Sequence, residues 1–281
     1  MSAYWTLLKP RLSMLVVIST LLSYMYAVEE QAAALDLVWL GVLGFLITGA
    51  ANAFNQVIEK ELDAKMDRTK GRPLPAELLF PRQSAIFGSF LLFAGLLGLT
   101  LLFNPLAAGL SFISFVLYVF VYTPLKSRTP LAVLVGAFPG ALPVLVGCVA
   151  ASGQIFPDYL LLFAIQFFWQ FPHFWAIAWV LDEDYQKAGF RLLPFGRGKD
   201  AYAAYYIFIY TVALVLVSLF PVFLQLTGLW YFAFAAALGF GFLLVTLLHL
   251  RKLSNRSAKW VMFFSFIYLP VVQLLLAIDK I

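Results

Sequence analysis

Asn55, Glu59, Asp63 and Asp67 recur every four residues in the stretch NQVIEKELDAKMDRTKGRPLP, residues 55–75. Each step of four drifts by about 40° around a helix and rises about 6 Å, so Asn55, Glu59 and Asp63 line one face of a helix end. Asp67 has drifted by about 120°, so either the helix wraps around its target or it breaks before that residue. Asn52 carries the polar series back into the apolar run that precedes it. Like charges at this spacing repel by roughly 0.2–0.5 kcal/mol per pair, which predicts a cation among them. Asn and carboxylate oxygens are hard ligands suited to magnesium, an ion that bridges one or two carboxylates to phosphate oxygens and keeps several waters. The acids can also be read as a solvated helix end balanced by Lys60, Lys65 and Arg68. Polar groups pointing into a membrane are expensive, and Asn52 and Asn55 therefore favour the functional reading.

A second constellation lies in AIQFFWQFPHFWAIAWVLDEDYQKAG, residues 164–189. Gln166, Gln170, His173 and Asp184 fall at helical offsets that share a face, which predicts a polar stripe running from mid-membrane to Asp182, Glu183 and Asp184. Pro172 is placed to bend it. His173 at membrane depth reads either as a hydrogen-bond partner for another helix or as a contact to a ligand or metal. His249, beside Arg251 and Lys252 at a helix end, reads as interfacial. Arg68, Arg72, Lys126, Arg128, Lys187 and Arg191 lie close by in sequence and could hold phosphate oxygens, arginine in a bidentate way. Neither a Walker-type nor a dinucleotide glycine loop is present, so a diphosphate would be bound through metal and side chains. Two acidic helix ends facing one another predict a clamp on a phosphorylated substrate.

The elements that must position these groups are membrane helices. The chain of 281 residues is 63% hydrophobic and 12% charged, with a mean hydropathy of +0.92, which excludes an ordinary soluble domain. Taking apolar runs of roughly 17–25 residues as spans, the sequence predicts one all-α domain over 1–281 with nine helices, at 12–28, 37–58, 84–103, 105–122, 131–151, 159–181, 201–224, 227–249 and 259–278. That assignment puts 18 of the 19 Lys and Arg on one side, leaving only Lys280 opposite, and predicts a cytoplasmic N-terminus. The connections 59–83 and 182–200 share that charged face. No cleavable signal or transit peptide is legible before the first span. The pI near 9.2 comes from bases in short inter-helix loops, so nucleic acid is set aside. The single cysteine, Cys148, rules out an intrachain disulfide or a cysteine-based metal site.

Taken with YTPLKSRTPLAVLVGAFPGALPVLVG and WQFPHFWAIAWVLDEDYQKAGFRLLP, the first motif resembles the UbiA-type intramembrane prenyltransferases, in their haem-farnesylating branch, over about residues 55–194. Glu59 stands where that family usually has Asp, keeping the charge on a longer arm. The resemblance implies a UbiA-like bundle of nine transmembrane helices enclosing a cavity open toward the cytoplasmic side. It implies transfer of a farnesyl group from farnesyl diphosphate to a vinyl group of haem B, with addition of water, dependent on Mg2+. On this reading Asn55, Asp63, Asp184 and His173 are catalytic, and Asn55, Glu59, Asp63, Asp67, Asp182 and Asp184 hold metal. Arg68, Arg72, Lys126, Arg128, Lys187 and Arg191 then serve the diphosphate, while Trp169, Gln170 and His173 face the haem. Tyr118, Tyr122, Phe168, Trp169 and Trp175 are candidate aromatic walls for an allylic cation. The implied partners are farnesyl diphosphate, haem B, the bilayer of a bacterial plasma membrane, and a haem A synthase or terminal oxidase assembly downstream. Two alternatives stand beside it: prenyl transfer to a quinone precursor, against which the intramembrane His173 and Gln170 argue, and an ion-coupled transporter. Transport predicts polar groups reaching both faces, whereas the opposite loops NP and LTG are short and neutral.

Overall fold

The computed structural model describes residues 2–28 and 32–281. Its helices are α1 (Ala3–Leu7), α2 (Pro10–Ala27), α3 (Ala34–Ile58), α4 (Lys60–Asp63), α5 (Pro81–Leu102), α6 (Pro105–Val116), α7 (Thr123–Leu125), α8 (Ala132–Ser152), α9 (Pro157–Val180), α10 (Asp182–Lys187), α11 (Ala201–Phe223), α12 (Leu229–Lys252) and α13 (Asn255–Ile278). Among the described residues nine helical segments are long and apolar enough to cross a membrane, each within four residues of its predicted bounds. The chain is a multi-pass membrane protein. Four of these segments begin with proline at the first helical position, Pro10, Pro81, Pro105 and Pro157, where the missing N–H has no intrahelical partner to lose. Asn104, Asp200 and Ser254 cap α6, α11 and α13 through their side chains.

The nine spans close into a ring in chain order: α2 packs on α3, α3 on α5, α5 on α6, α6 on α8, α8 on α9, α9 on α11, α11 on α12, α12 on α13, and α13 back on α2. Cross-contacts of α2 with α8 and of α9 with α13 divide the ring into two lobes. Helix α8 is the most enclosed of the spans, and its small residues let its neighbours approach. A side chain at Gly147 would put its Cβ 2.1 Å from the Thr20 carbonyl oxygen of α2, and one at Gly140 would put it 2.0 Å from Gln170 Oε1 of α9.

Prolines inside the spans free carbonyls that hydrocarbon cannot satisfy. Pro143 has no N–H to offer the Pro139 carbonyl, and Ser114 Oγ of α6 donates to that oxygen at 2.9 Å. At Leu117–Tyr122 the fourth span opens into a π-helical turn just before Pro124. Thr123 Oγ1 bonds back to the Tyr118 carbonyl there at 2.8 Å.

If the Gly147 contact sets the spacing of α2 and α8, Gly147→Ala should lower the thermal unfolding temperature in detergent by several degrees. Gly109→Ala, which would meet no neighbour within 4 Å, should leave it unchanged or slightly raised.

Candidate active site

Helix α3 breaks at Glu59, whose φ of −94° and ψ of 10° leave the helical region, and the chain takes one further turn over Lys60–Asp63. The break decides the question left by the spacing, because it keeps Asn55, Glu59 and Asp63 together and sends Asp67 outward. The three are 1%, 3% and 1% exposed, whereas the Asp67 side chain is 64% exposed. Thr69 Oγ1 donates to the Asp63 carbonyl at 2.8 Å, and buried Met66, Thr69 and Leu74 hold the returning loop against the bundle.

Three cations meet these buried groups. Arg72 Nη1 donates to both Asp63 oxygens, at 2.8 and 2.7 Å. Lys126 Nζ lies 2.5 Å from Glu59 Oε1, outside hydrogen-bond geometry, while Asn55 Nδ2 donates to Glu59 Oε2 at 2.9 Å. Lys9 Nζ donates to Asn55 Oδ1 at 2.9 Å. Burial is the main influence on the Lys9 amine, with the charges of Arg72 and Lys126 adding to it, and its pKa is pushed well below the usual lysine value. Lys9 and Thr123, whose Oγ1 accepts from Asn55 Nδ2 at 3.2 Å, were not anticipated from the sequence as site residues. The signal for Lys9 was the Lys–Pro pair: with Pro10 opening α2, Lys9 takes a left-handed φ of 46° that turns its side chain inward. Asn52 does not join the acid face, because its Nδ2 donates to the Leu8 carbonyl and Ser13 Oγ and so anchors the α1–α2 bend.

The second acidic end reaches the first through backbone. Asp184 Oδ1 accepts from the Asp67 N–H at 2.7 Å and Oδ2 from the Arg68 N–H at 3.2 Å. Burial alone would raise the Asp184 pKa, but these two N–H donors and Lys187 outweigh it and lower the value. Lys187 bonds to Asp67 and lies 3.4 Å from Asp184; its bond to Asp67 comes first, and that of Lys70 second, among the causes that depress the Asp67 pKa from 3.8 to about 2. The six expected metal ligands therefore do not form one set. Asn55, Glu59 and Asp63 are buried together, exposed Asp67 and half-buried Asp184 form a rim, and Asp182 is turned away, its Oδ2 accepting from Gln186 Nε2 at 2.8 Å. Among the described residues no three His, Cys, Asp or Glu side chains converge on one point, since the third donor of the buried set is an amide. That set has the donor chemistry for a hard divalent cation nonetheless: two carboxylates from the break and the turn after it and an amide oxygen before it, with Glu59 Oε1 held only by its ion pair to Lys126.

The basic candidates divide likewise. Arg72 and Lys126 sit on the buried acids, Arg68 lies 5.9 Å from the Tyr185 ring centroid, and Lys187 holds the rim. Arg128 is exposed, and Arg191 lines a separate cavity of about 380 Å³ with Asp182, Gln186, Phe190 and Arg197.

The stripe on α9 also splits. Gln166 and Gln170 donate to the Gly140 and Ala137 carbonyls of α8, and Gln273 donates to Gln166 Oε1 at 2.9 Å. His173 instead turns to α13, with Nδ1 2.7 Å from Ser265 Oγ and its ring stacked on Trp169 at 4.4 Å. Because Ser265 Oγ donates to the Met262 carbonyl at 2.6 Å, Nδ1 is the protonated nitrogen and Nε2 carries the lone pair. Trp169 Nε1 is bonded to the Ser265 carbonyl at 2.8 Å. Of the aromatic candidates, Tyr118 and Tyr122 stand near the acids, with Lys126 Nζ 5.2 Å from the Tyr122 ring centroid. Phe168 and Trp175 pack on Tyr210 of α11 instead. His249 is fully buried against Trp179 and bonded to Ser257, because the Ser254–Ser257 cap folds over it, so the interfacial assignment is corrected.

Residues 16–267 match the UbiA prenyltransferase family. A protein from Cytophaga hutchinsonii named protoheme IX farnesyltransferase is 43% identical over 279 residues, covering 99% of this chain and 98% of that protein. One of the same name from Christiangramia forsetii is also 43% identical, covering 100% of this chain and 94% of that protein. Among solved structures, a digeranylgeranylglyceryl phosphate synthase superposes with a TM-score of 0.80 at 20% identity, covering 99% of this chain and 97% of that one. A UbiA homolog from Archaeoglobus fulgidus bound to DMAPP and Mg2+ superposes with a TM-score of 0.69 at 15% identity, covering 97% and 99%. At these identities the two structures establish the fold.

Asp67 is a carboxylate with a depressed pKa, so its pairing with Lys187 contributes above about pH 4 and is lost as pH falls toward 2. Hydrogen-exchange protection of the 64–70 amides, corrected for intrinsic rate, should be flat from pH 7 to 5 and fall below pH 4. Asp184→Ala should reduce that protection at pH 7 severalfold, and Asp182→Ala should not.

Proposed function

The chain belongs to the UbiA prenyltransferase family and is a membrane prenyltransferase; on that premise we propose that it transfers a farnesyl group from farnesyl diphosphate to a vinyl group of haem B, with addition of water. The observation that carries the assignment is the near full-length identity of 43% to proteins named protoheme IX farnesyltransferase. In the overall reaction the allylic C–O bond breaks and diphosphate leaves with the electron pair. The terminal vinyl carbon bonds to the farnesyl C1, and water adds to the remaining vinyl carbon with loss of a proton.

The buried cluster suits that departure. Lys9, Arg72 and Lys126, now spent on Asn55, Asp63 and Glu59, become available to diphosphate oxygens once the acids have another cation to hold. Asn55, Glu59 and Asp63 are the residues that would hold magnesium, an ion with which the Archaeoglobus fulgidus fold relative was solved. Magnesium, when bound, neutralises charge on a leaving diphosphate. Tyr118 and Tyr122 present ring faces beside the cluster, each worth about 0.5–2 kcal/mol to a developing allylic cation. The burial of Tyr122, at 5% exposure, supports the exclusion of water until the carbon–carbon bond has formed.

His173 serves the acceptor on this proposal, offering the Nε2 lone pair to the haem iron while Ser265 fixes the ring. Arg68, Lys187 and the rim carboxylates Asp67 and Asp184 order the entrance. The charge asymmetry of 18 to 1 supports a cytoplasmic N-terminus, and the bacterial relatives support a plasma membrane. An oxidase or haem-modifying partner downstream follows from the product. The transporter alternative gains nothing from Gln166, Gln170 and Gln273, whose amides bond between helices, which supports a packing role.

Membranes containing the protein, incubated with haem B and farnesyl diphosphate, should yield farnesylated haem by mass, and a magnesium chelator should abolish it. Asp63→Asn should cost about 10²–10³ in turnover while the protein stays folded by size exclusion. His173→Ala should raise the haem KM more than it slows diphosphate release. Full turnover by Asp63→Asn would remove the buried acids from the mechanism.

A further inference from the structure

Helix α10 and its connection to α11 line the half-open cavity of about 380 Å³, at the charged face of the bundle. It is a built feature. Phe190, Leu192 and Leu193 bury their side chains beneath it, and left-handed backbone at Gly189, Phe195, Gly196 and Gly198 folds the chain tightly around it. Most charges in this segment are already matched. Arg197 lies 3.3 Å from Asp200 and over the Tyr202 ring, and Lys199 bonds to Glu183 at 3.2 Å. Arg191 makes no ion pair or hydrogen bond among the described residues, and it lines the cavity. Asp182 also lines the cavity, where Gln186 Nε2 donates to its Oδ2 at 2.8 Å.

On the proposed reading Lys9, Arg72 and Lys126 meet the diphosphate, and Arg191, exposed at the cavity, is free to meet a second anionic group. Haem B carries two propionate carboxylates as well as its vinyl groups, and a carboxylate is costly in hydrocarbon unless it is paired. Phe190 is common to the two regions, lining the cavity while its ring centroid lies 5.5 Å from Lys126 Nζ. A porphyrin with a vinyl edge at the buried cluster therefore has an acidic edge to place, and the neighbouring cavity offers an unpaired guanidinium. We infer that this cavity binds a propionate carboxylate of the porphyrin acceptor, with Arg191 as its pairing cation. The inference rests on the haem-farnesylating reading and adds which group of the acceptor is recognised and where. Arg191 acts here in binding and orientation, away from the reacting carbons.

The test compares haem B with its dipropionate dimethyl ester in wild type, Arg191→Gln and Arg191→Lys, in nanodiscs of phosphatidylcholine with and without phosphatidylglycerol. Both Soret-monitored binding and turnover are read. In wild type the ester should bind about tenfold more weakly than the acid, the cost of losing one charge-assisted pair. Arg191→Gln should weaken the acid by that factor and leave the ester unchanged, Arg191→Lys should restore part of the preference, and the KM for farnesyl diphosphate should not move. An unchanged acid-to-ester ratio in Arg191→Gln overturns the inference. So does a loss equal for acid and ester that occurs only with phosphatidylglycerol, which would make the cavity a lipid headgroup site. Absence of farnesylated haem from wild type with either acceptor would sink the functional reading itself, whereas normal turnover with no Arg191 preference sinks this inference alone.

Discussion

Buried charge must be compensated where it is buried, and Glu59 and Asp63 make that the governing constraint of this protein. Two carboxylates at 3% and 1% exposure would be prohibitive in a low-dielectric interior on their own. Their partners come from far along the chain: Lys126 from the π-helical end of the fourth span, Arg72 from the loop that follows the acids, and Lys9, through Asn55, from the start of the first. Satisfying those pairs ties three spans and a loop to one point, so the site is also a structural junction. Breaking one partnership leaves another charge exposed to the same penalty, which couples stability at this junction to its chemistry.

The second constraint is the bilayer's demand that no backbone group go unpaired. Breaks in regular helix recur around the site: the interruption at Glu59, the π turn at Leu117–Tyr122, and the two prolines of α8. Side chains meet two of them, with Thr123 bonding the Tyr118 carbonyl of its own span and Ser114 reaching the Pro139 carbonyl of α8, while Gln170 crosses from α9 to the Ala137 carbonyl of α8. Polar side chains that a sequence reader would assign to a ligand are thus divided between chemistry and repair. Gln166 and Gln170 serve the joint between α8 and α9, while His173, one turn along, faces a different helix.

Together these constraints organise the charged face into three zones. A buried cluster holds matched acids and bases, an exposed rim is fastened by Asp184 to the backbone of Asp67 and Arg68, and a loop-built cavity lies beyond Phe190. The rim joins the two halves of the chain that carry the acidic motifs, so the ring of helices is closed at this face by carboxylate-to-backbone bonds as well as by packing. On the proposed reading the leaving diphosphate and a porphyrin carboxylate meet separate cations, Lys9, Arg72 and Lys126 for the first and Arg191 for the second.

The sequence by itself determined the number of spans, their order and the sidedness of charge, because each follows from local composition: apolar runs long enough to cross a bilayer and bases confined to alternate loops. It also pointed to Asn55, Glu59 and Asp63 as a group, since helical periodicity is a local rule, and the structure buries all three although the helix breaks at Glu59. Only the tertiary structure decided which polar groups meet. Lys9 entered the site through its own left-handed backbone ahead of Pro10, and Asp184 met the backbone N–H groups of Asp67 and Arg68. Asp182 and Arg191 fell into a neighbouring cavity, while His249 was sealed beneath a cap. The reason is physical. Periodicity fixes the direction of a side chain relative to its own helix, whereas its partner is fixed by the rotation and depth at which helices pack, which depend on contacts between residues distant in sequence.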